Sequence, residues 1–347
     1  MRVVNFAPGP TQLPKKVINN ISNIINKNNP LEISHRSKKF IDMFNLLNEK
    51  IKKYMNIDNN FEILWTHGGA TGQFSSIPIN MKSEKANYIH KGSWSNTSFL
   101  ESKKFINSYQ SILVNNDYKS VINDDDHYLY ICSNETVEGI EFKNKGLRLP
   151  YRNELNNTKL VVDMSSDFTM KKINWNNIDI AFSSSSKNIG TAGSCITIVR
   201  KELIKKNKEI PKILNWYEYS RTNSLFNTIN VFNIYLINEM FNYYINNITI
   251  EEQEHLSIYK AKLVYEFLEN SIKFNPLVFD SFIRSNINIP FNVKNREKFI
   301  KFCSNHGIYG LNIYSNFNKN LRISLYNSIS INDTKYLIDI MYKYDKL

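Results

Sequence analysis

In the run "KLVVD" an aspartate, Asp163, closes a short apolar stretch, and in "IAFSSSSKNIGTAGSC" a lysine, Lys187, stands between two more. A carboxylate at the mouth of a buried strand is costly unless it meets a cation. A lysine that is desolvated or near other positive charge holds its amine neutral and nucleophilic toward a carbonyl. Taken singly, Asp163 reads equally as a cap and Lys187 as a solvated loop lysine. A third piece is "HGGATGQF", glycines and small residues between the apolar "FEILW" and a helical pattern, where backbone N–H groups and a helix N-terminus can face a phosphate. No Gly-Lys-Ser/Thr follows it, which argues against a nucleotide loop of the Walker kind. Trp94 in "KGSWS" and Thr136 in "CSNETVEG" follow apolar runs and offer an aromatic face and a hydroxyl.

One cofactor asks for these groups together. Pyridoxal phosphate is carried as a Schiff base on a lysine, while a carboxylate keeps its ring nitrogen protonated so that the ring acts as an electron sink. Asp163, Lys187 and the "GGATGQ" loop supply the carboxylate, the amine and the phosphate cup.

The elements around these residues must bring them to one place. Pro14 opens a helical pattern over 15–26 (Val17, Ile18, Ile21, Ile24, Ile25), and "SKKFIDMFNLLNEKIKKYMNI" repeats it with Phe40, Phe44, Leu47, Ile51 and Tyr54. "FEILW", "ANYIHKG", "SILVN", "HYLYICSNET", "KLVVD", "IDIAF" and "SCITIVR" read as short strands, with "NTSFLESKKFI" as a helix among them. That alternation predicts an α/β fold with a largely parallel sheet, whose ligands bind at the carboxyl ends of the strands. "NVFNIYLINEMFNYYIN" and "IEEQEHLSIYKAKLVYEFLEN" read as long helices leading to a smaller α+β unit.

Composition narrows the class. The 347 residues are 42% hydrophobic and 13% aromatic, values that a disordered chain does not reach. The net charge of +12 suggests anionic partners, but lysine is spread along the whole chain with no basic block. Abundant asparagine, isoleucine and lysine against 11 glycines and 9 prolines read as drift toward AT-rich codons. Cys132, Cys195 and Cys303 are too few and too far apart for a disulfide framework or a zinc site, which suits a reducing compartment. The opening residues lack the apolar core of a secretory signal, and no run approaches a membrane span, so a cytoplasmic protein is expected, with no metal, nucleic-acid or membrane partner.

The segments "NFAPGPTQLP", "SHRSKKF", "HGGATGQFSSIPIN", "GSWS", "SNETVEGIEF", "VVDMSSDF", "SKNIGTAGSCITIVR", "SLFNT", "RSNINIPF" and "LRISLYN", in this order, make the chain resemble the phosphoserine aminotransferase family, class V aminotransferases of fold type I, nearly end to end. The resemblance implies an arm at 1–14, a large cofactor-binding domain at 15–254 with a mostly parallel seven-stranded sheet, and a smaller α+β domain at 255–347. By it, Lys187 matches the Schiff-base lysine and Asp163 the partner of the ring nitrogen. Ala70 and Thr71 match the phosphate loop, Trp94 the stacked ring, and Thr136 the hydroxyl near the ring oxygen. Asn227 and Thr228 match a pair that reaches the cofactor phosphate from the other subunit, which implies a homodimer with the site at its interface. Arg322 matches the guanidinium for the substrate α-carboxylate, a role that suits its planar fork, and His35 and Arg36 match part of the distal pocket. The activity implied is reversible amino transfer from L-glutamate to 3-phosphohydroxypyruvate, giving O-phospho-L-serine and 2-oxoglutarate in serine biosynthesis, with 4-phosphohydroxy-L-threonine as a further substrate in pyridoxine biosynthesis.

Two positions depart from the family pattern. Ser186 stands where glutamine usually precedes the lysine, leaving a shorter side chain toward the cofactor phosphate. Ser315 and Asn316 replace a His-Arg pair, which removes a cation from the distal pocket that Lys319 would have to restore; an altered substrate preference is the alternative this leaves open. Three rivals remain. Ser184 and Lys187 fit the S-x-x-K pattern of serine acyl-transfer enzymes, although that lysine should follow its serine on a helix and the S-D-N and K-T-G companions are missing. A cysteine desulfurase would need a mobile reactive cysteine, and Cys303 falls in an amphipathic helical pattern. A nucleic-acid binder rests on charge alone.

Overall fold

The computed structural model describes residues 3–28, 32–143, 145–312 and 320–347. Its centre is a seven-stranded sheet in the order Phe61–His67, Ser194–Arg200, Ile180–Ser184, Lys159–Asp163, Tyr128–Cys132, Lys85–Ile89, Asn107–Ser111. All neighbours run parallel except Ser194–Arg200, which is antiparallel to both strands beside it. Tyr128–Cys132 is buried throughout and Lys159–Asp163 from its second residue on, as the inner strands of a parallel sheet covered on both faces should be.

One face packs against the helices Lys15–Asn28, Lys38–Met55 and Val231–Asn247 through Phe40, Phe44, Leu47, Ile131, Val162 and Phe241. Ser37 caps the second of these helices, its Oγ accepting from Phe40 N–H at 3.3 Å. The other face meets the helices Gly69–Met81, Ser93–Ser102 and Trp216–Arg221 through Phe74, Tyr88, Tyr130, Phe182 and Trp216.

A separate apolar cluster fills the C-terminal part. There the antiparallel strands Phe274–Pro276, Asn288–Val293 and Leu321–Ser324 pack against the helices Ile250–Asn270, Arg296–Asn305 and Ile331–Asp345. Val4 and Phe6 of the N-terminal segment belong to this cluster, and Val4–Asn5 pairs in parallel with Ile308–Tyr309. The helix Ile250–Asn270 runs unbroken across position 254.

One strand lies elsewhere than its apolar pattern predicts. "SILVN" reads as a strand, but the sheet's edge is the polar Asn107–Ser111, and Ile112 and Val114 just beyond it are exposed. An edge strand needs only one neighbour and one buried face, so backbone pairing with Lys85–Ile89 decides its position here rather than hydrophobicity.

Candidate active site

Strand register gathers the chemistry at one edge of the sheet. Cys132 lies opposite Asp163, Asp163 opposite Phe182, Cys195 opposite Ser184, and Ser194 opposite His67. The residues that follow these ends converge on a cavity of about 380 Å³, within the range of small-molecule sites. Ala70, Thr71, Trp94, Thr136, Asp163, Ser186, Lys187 and Arg322, all singled out from the sequence, line it together.

Asp163 is 3% exposed. Its Oδ1 accepts from Ser165 N–H at 2.8 Å, and its Oδ2 from the Tyr130 hydroxyl at 3.3 Å. Burial pushes its carboxyl above the ordinary carboxylate value, while the Ser165 hydrogen bonds and the Lys187 charge oppose this. Such an anion gains strongly from a cation placed against it in the cavity. Lys187 is half-buried. Its Nζ donates to Thr136 Oγ1 at 3.2 Å and lies 5.7 Å from the centre of the Trp94 ring. Its carbonyl accepts from Thr11 Oγ1 at 2.5 Å, so the N-terminal segment holds the lysine's backbone.

The loop before the helix Gly69–Met81 turns through two left-handed residues, Gly68 (φ 81) and Gly69 (φ 60). Glycine takes such angles at no steric cost, whereas most side chains are disfavoured there. The turn places the head of that helix, Gly69, Ala70 and Thr71, in the cavity wall, which Ser184, Ser186 and Gly193 also line. Ser184 Oγ and Ser186 Oγ are 3.1 Å apart. Arg322 is held at another wall, where its guanidinium donates to the Thr136 carbonyl at 2.5 Å.

His35, Arg36, Asn227 and Thr228 are not among the residues that line this chain's cavity. His35 is buried and Arg36 exposed on the segment before the helix Lys38–Met55. Asn227 is half-buried, with Nδ2 3.0 Å from His67 Nε2, and Thr228 is exposed. Ser315, Asn316 and Lys319 lie outside the described residues.

Sequence reading missed Tyr130 and Ser165, which hold the Asp163 carboxylate, and Asn134, which lines the cavity and donates to Ser166 Oγ and Asn288 Oδ1, each at 2.8 Å. The alternation Tyr128, Tyr130, Cys132 in "HYLYIC" marks one face of a strand and was the available signal for Tyr130. Ser165 stands two residues past Asp163, in the position of a local turn donor.

The cavity fits pyridoxal phosphate at each point tested. A buried carboxylate seeks a cation at one wall, a helix N-terminus opens at another, and an amine, a hydroxyl and an indole stand between them. The acyl-transfer reading loses its geometry, because Ser184 ends a strand and its hydroxyl pairs with Ser186. Burial pushes the Cys132 thiol well up and the Cys303 thiol up to about 12, which leaves neither as a nucleophile for desulfuration. Among the described residues no His, Cys, Asp and Glu cluster could hold a metal ion, and no helix is long and apolar enough to cross a membrane.

Comparison with known proteins agrees with this chemistry. The model of the family "Aminotransferase class-V" matches residues 3–337. The chain is 34% identical to a probable phosphoserine aminotransferase of Caenorhabditis elegans, over 100% of this chain and 98% of the relative. It is 32% identical to the phosphoserine aminotransferase of Buchnera aphidicola subsp. Baizongia pistaciae, over 99% and 97%. The solved phosphoserine aminotransferase of Bacillus circulans subsp. alkalophilus superposes with a TM-score of 0.91 at 27% identity, each chain being covered to 99%. The PLP-bound enzyme of Trichomonas vaginalis gives 0.88 at 26%, covering 98% of this chain and 100% of its own. The fold, the cavity chemistry and these full-length likenesses agree, and the chain belongs to the class-V aminotransferases, transaminases that depend on pyridoxal phosphate.

Proposed function

We propose that the protein is a phosphoserine aminotransferase, moving the amino group reversibly from L-glutamate to 3-phosphohydroxypyruvate to give O-phospho-L-serine and 2-oxoglutarate. The observation that carries this reading is identity of 30–34% to phosphoserine aminotransferases along the whole chain, supported by a cavity that Asp163, Lys187, Trp94 and Thr136 line together. Pyridoxal phosphate, when bound, supplies an electron sink for the carbon that gains or loses the amino group.

The roles proposed for the site residues are these. Lys187 Nζ is the amine that would attach the cofactor and, when free, would serve as the general base and acid of the transfer. Thr136 Oγ1, already its hydrogen-bond partner, orients that amine. Asp163 holds positive charge on the ring nitrogen in a site where water cannot dilute the interaction. Trp94 covers one ring face and excludes water, and the helix N-terminus at Ala70 and Thr71, with Ser186, takes the phosphate. Arg322 grips the α-carboxylate of either substrate through its planar fork, and His35 and Arg36 belong to the distal pocket.

We take the working form to be a homodimer. Asn227 is half-buried and Thr228 exposed, and neither lines its own chain's cavity, which supports their reception by a second copy. The same chemistry extends to 4-phosphohydroxy-L-threonine, the substrate that would place the enzyme in pyridoxine biosynthesis as well. A cytoplasmic setting suits its three buried free thiols. We divide the chain into an arm at 1–14, a large unit at 15–254 and a small unit at 255–347. The separate C-terminal apolar cluster supports that division, with the helix Ile250–Asn270 bridging the last two.

A half-reaction tests the substrate. Cofactor-loaded protein is mixed with glutamate, phosphoserine, alanine or aspartate, and loss of the cofactor's visible absorbance is followed. Glutamate and phosphoserine should discharge it fastest. Discharge by alanine or aspartate with none by phosphoserine would overturn the assignment.

A further inference from the structure

Glu135 is fully buried, yet no step above uses its carboxylate. Both of its oxygens face the first turn of the helix that carries Trp94: Oε2 accepts Trp94 N–H at 3.0 Å and Oε1 accepts Ser95 N–H at 2.8 Å. These are two of the donors that a helix N-terminus leaves without partners, and an anion there is also favoured by the helix dipole. Gly92 permits the approach. Its φ of 179 is extended backbone open to any residue, but a Cβ there would stand 2.8 Å from the Glu135 carboxyl carbon and closer still to Glu138 Oε2. Glu138 in turn accepts from Ser93 Oγ at 2.5 Å, so one hairpin presents two carboxylates to one helix end.

That hairpin pairs Asn134–Glu135 with Ile140–Glu141, and its Gly139 packs against Pro290 so closely that a Cβ would not fit. Pro290 lies opposite Arg322 in the C-terminal sheet. The residue after Glu135 is Thr136, whose hydroxyl meets Lys187 and whose carbonyl meets Arg322. One dipeptide thus touches the helix end of Trp94, the amine and the guanidinium.

We propose that Glu135 is a positioning residue that sets the Trp94 ring against the cofactor by gripping the two backbone N–H groups at the head of its helix. The proposal rests on the reading of Trp94 as the stacked ring. Burial pushes the Glu135 carboxyl up to about 7, with the Ser95 and Trp94 donors opposing and the Glu138 charge adding to it. A residue that only filled space here would lose nothing on becoming an uncharged isostere and would be relieved of that burial cost. Glutamine keeps the shape but turns one acceptor into a donor, which faces an N–H it cannot bond.

The test is titration of the apoprotein with pyridoxal phosphate, followed by tryptophan fluorescence and by circular dichroism of the bound chromophore. Glu135→Gln should raise the dissociation constant about tenfold or more, which is what losing one charge-assisted hydrogen bond amounts to. Gly92→Ala should do the same from the opposite side by displacing the carboxylate, and Glu135→Asp should recover part of the loss. In a Trp94→Ala background, Glu135→Gln should add nothing further. An unchanged dissociation constant, or effects that simply add in the double variant, would overturn the proposal. Should Glu135→Gln fail to fold, Gly92→Ala decides by the same two criteria. Because affinity is the readout, a chain that binds the cofactor but rejects phosphoserine refutes the proposed substrate and leaves this inference standing.

Discussion

Lys187 and Asp163 divide the work at the cavity, and their substitution should separate binding from chemistry. With Lys187 proposed as both attachment point and proton carrier, Lys187→Ala should abolish multiple turnover; appreciable steady-state activity would refute the assignment. Asp163→Asn keeps the shape and the bond from Ser165 N–H but not the charge. With no countercharge for the ring nitrogen, the rate should fall by about 100-fold or more, the scale of losing one preorganised electrostatic partner. Single-turnover rates on protein that retains its cofactor check this. Both residues were legible in the sequence because Asp163 closes a short apolar run and Lys187 stands in the short link between two others, where a charge needs an explanation. Tyr130 and Glu135 were not. The Tyr130 hydroxyl reaches Asp163 only through the pairing of two strands, and Glu135 meets Trp94 across 41 residues of chain.

At the scale of elements, the strand-to-helix turn at Gly68 and Gly69 could be read from "HGGATGQF", since glycines before a helical pattern have few other uses. The tie from the helix Ile250–Asn270 to the segment after Arg322 could not. Lys260, 1% exposed on the helix Ile250–Asn270, donates to the carbonyls of Leu325, Tyr326 and Ile329 at 2.9, 3.0 and 2.9 Å. It thereby ties down the segment that follows Arg322. Lys260→Met leaves three carbonyls without this donor and should cost about 3 kcal/mol, read as a lower urea midpoint. Burial pushes the Lys260 ammonium down to about 7 from 10.5, with Asp333 opposing. The unfolded chain therefore holds this proton when the folded chain has released it, and the group's contribution to stability rises with pH between about 7 and 10.5. Lys260→Met should lose that rise. In the sequence, a lysine at position 260 looks like any other on an amphipathic helix.

For the whole molecule, the α/β class and the mostly parallel sheet followed from alternating strand and helix patterns. The edge strand Asn107–Ser111 did not, since its residues carry no apolar signal. Quaternary structure can be tested by complementation. Asn227→Ala should weaken cofactor binding although Asn227 lies outside its own cavity. In a mixed dimer with Lys187→Ala, one site has Lys187 from one chain and Asn227 from the other, both intact. At a cofactor concentration that leaves Asn227→Ala largely unloaded, mixing the two variants after partial unfolding and refolding should therefore raise activity above that of either alone, and no rise would count against a shared site. The antiparallel strand Ser194–Arg200 has a consequence for how this sheet tolerates change. Connections between parallel strands leave the cavity edge and end at the opposite edge, so they can lengthen without moving what they started from. The stretch 185–193, which carries Lys187, begins and ends at the cavity edge because the strand after it runs backward. Extra residues inserted there arrive at the cavity rim beside Lys187 and not at the far edge of the sheet, so a change of length in this connection bears directly on the placement of the lysine.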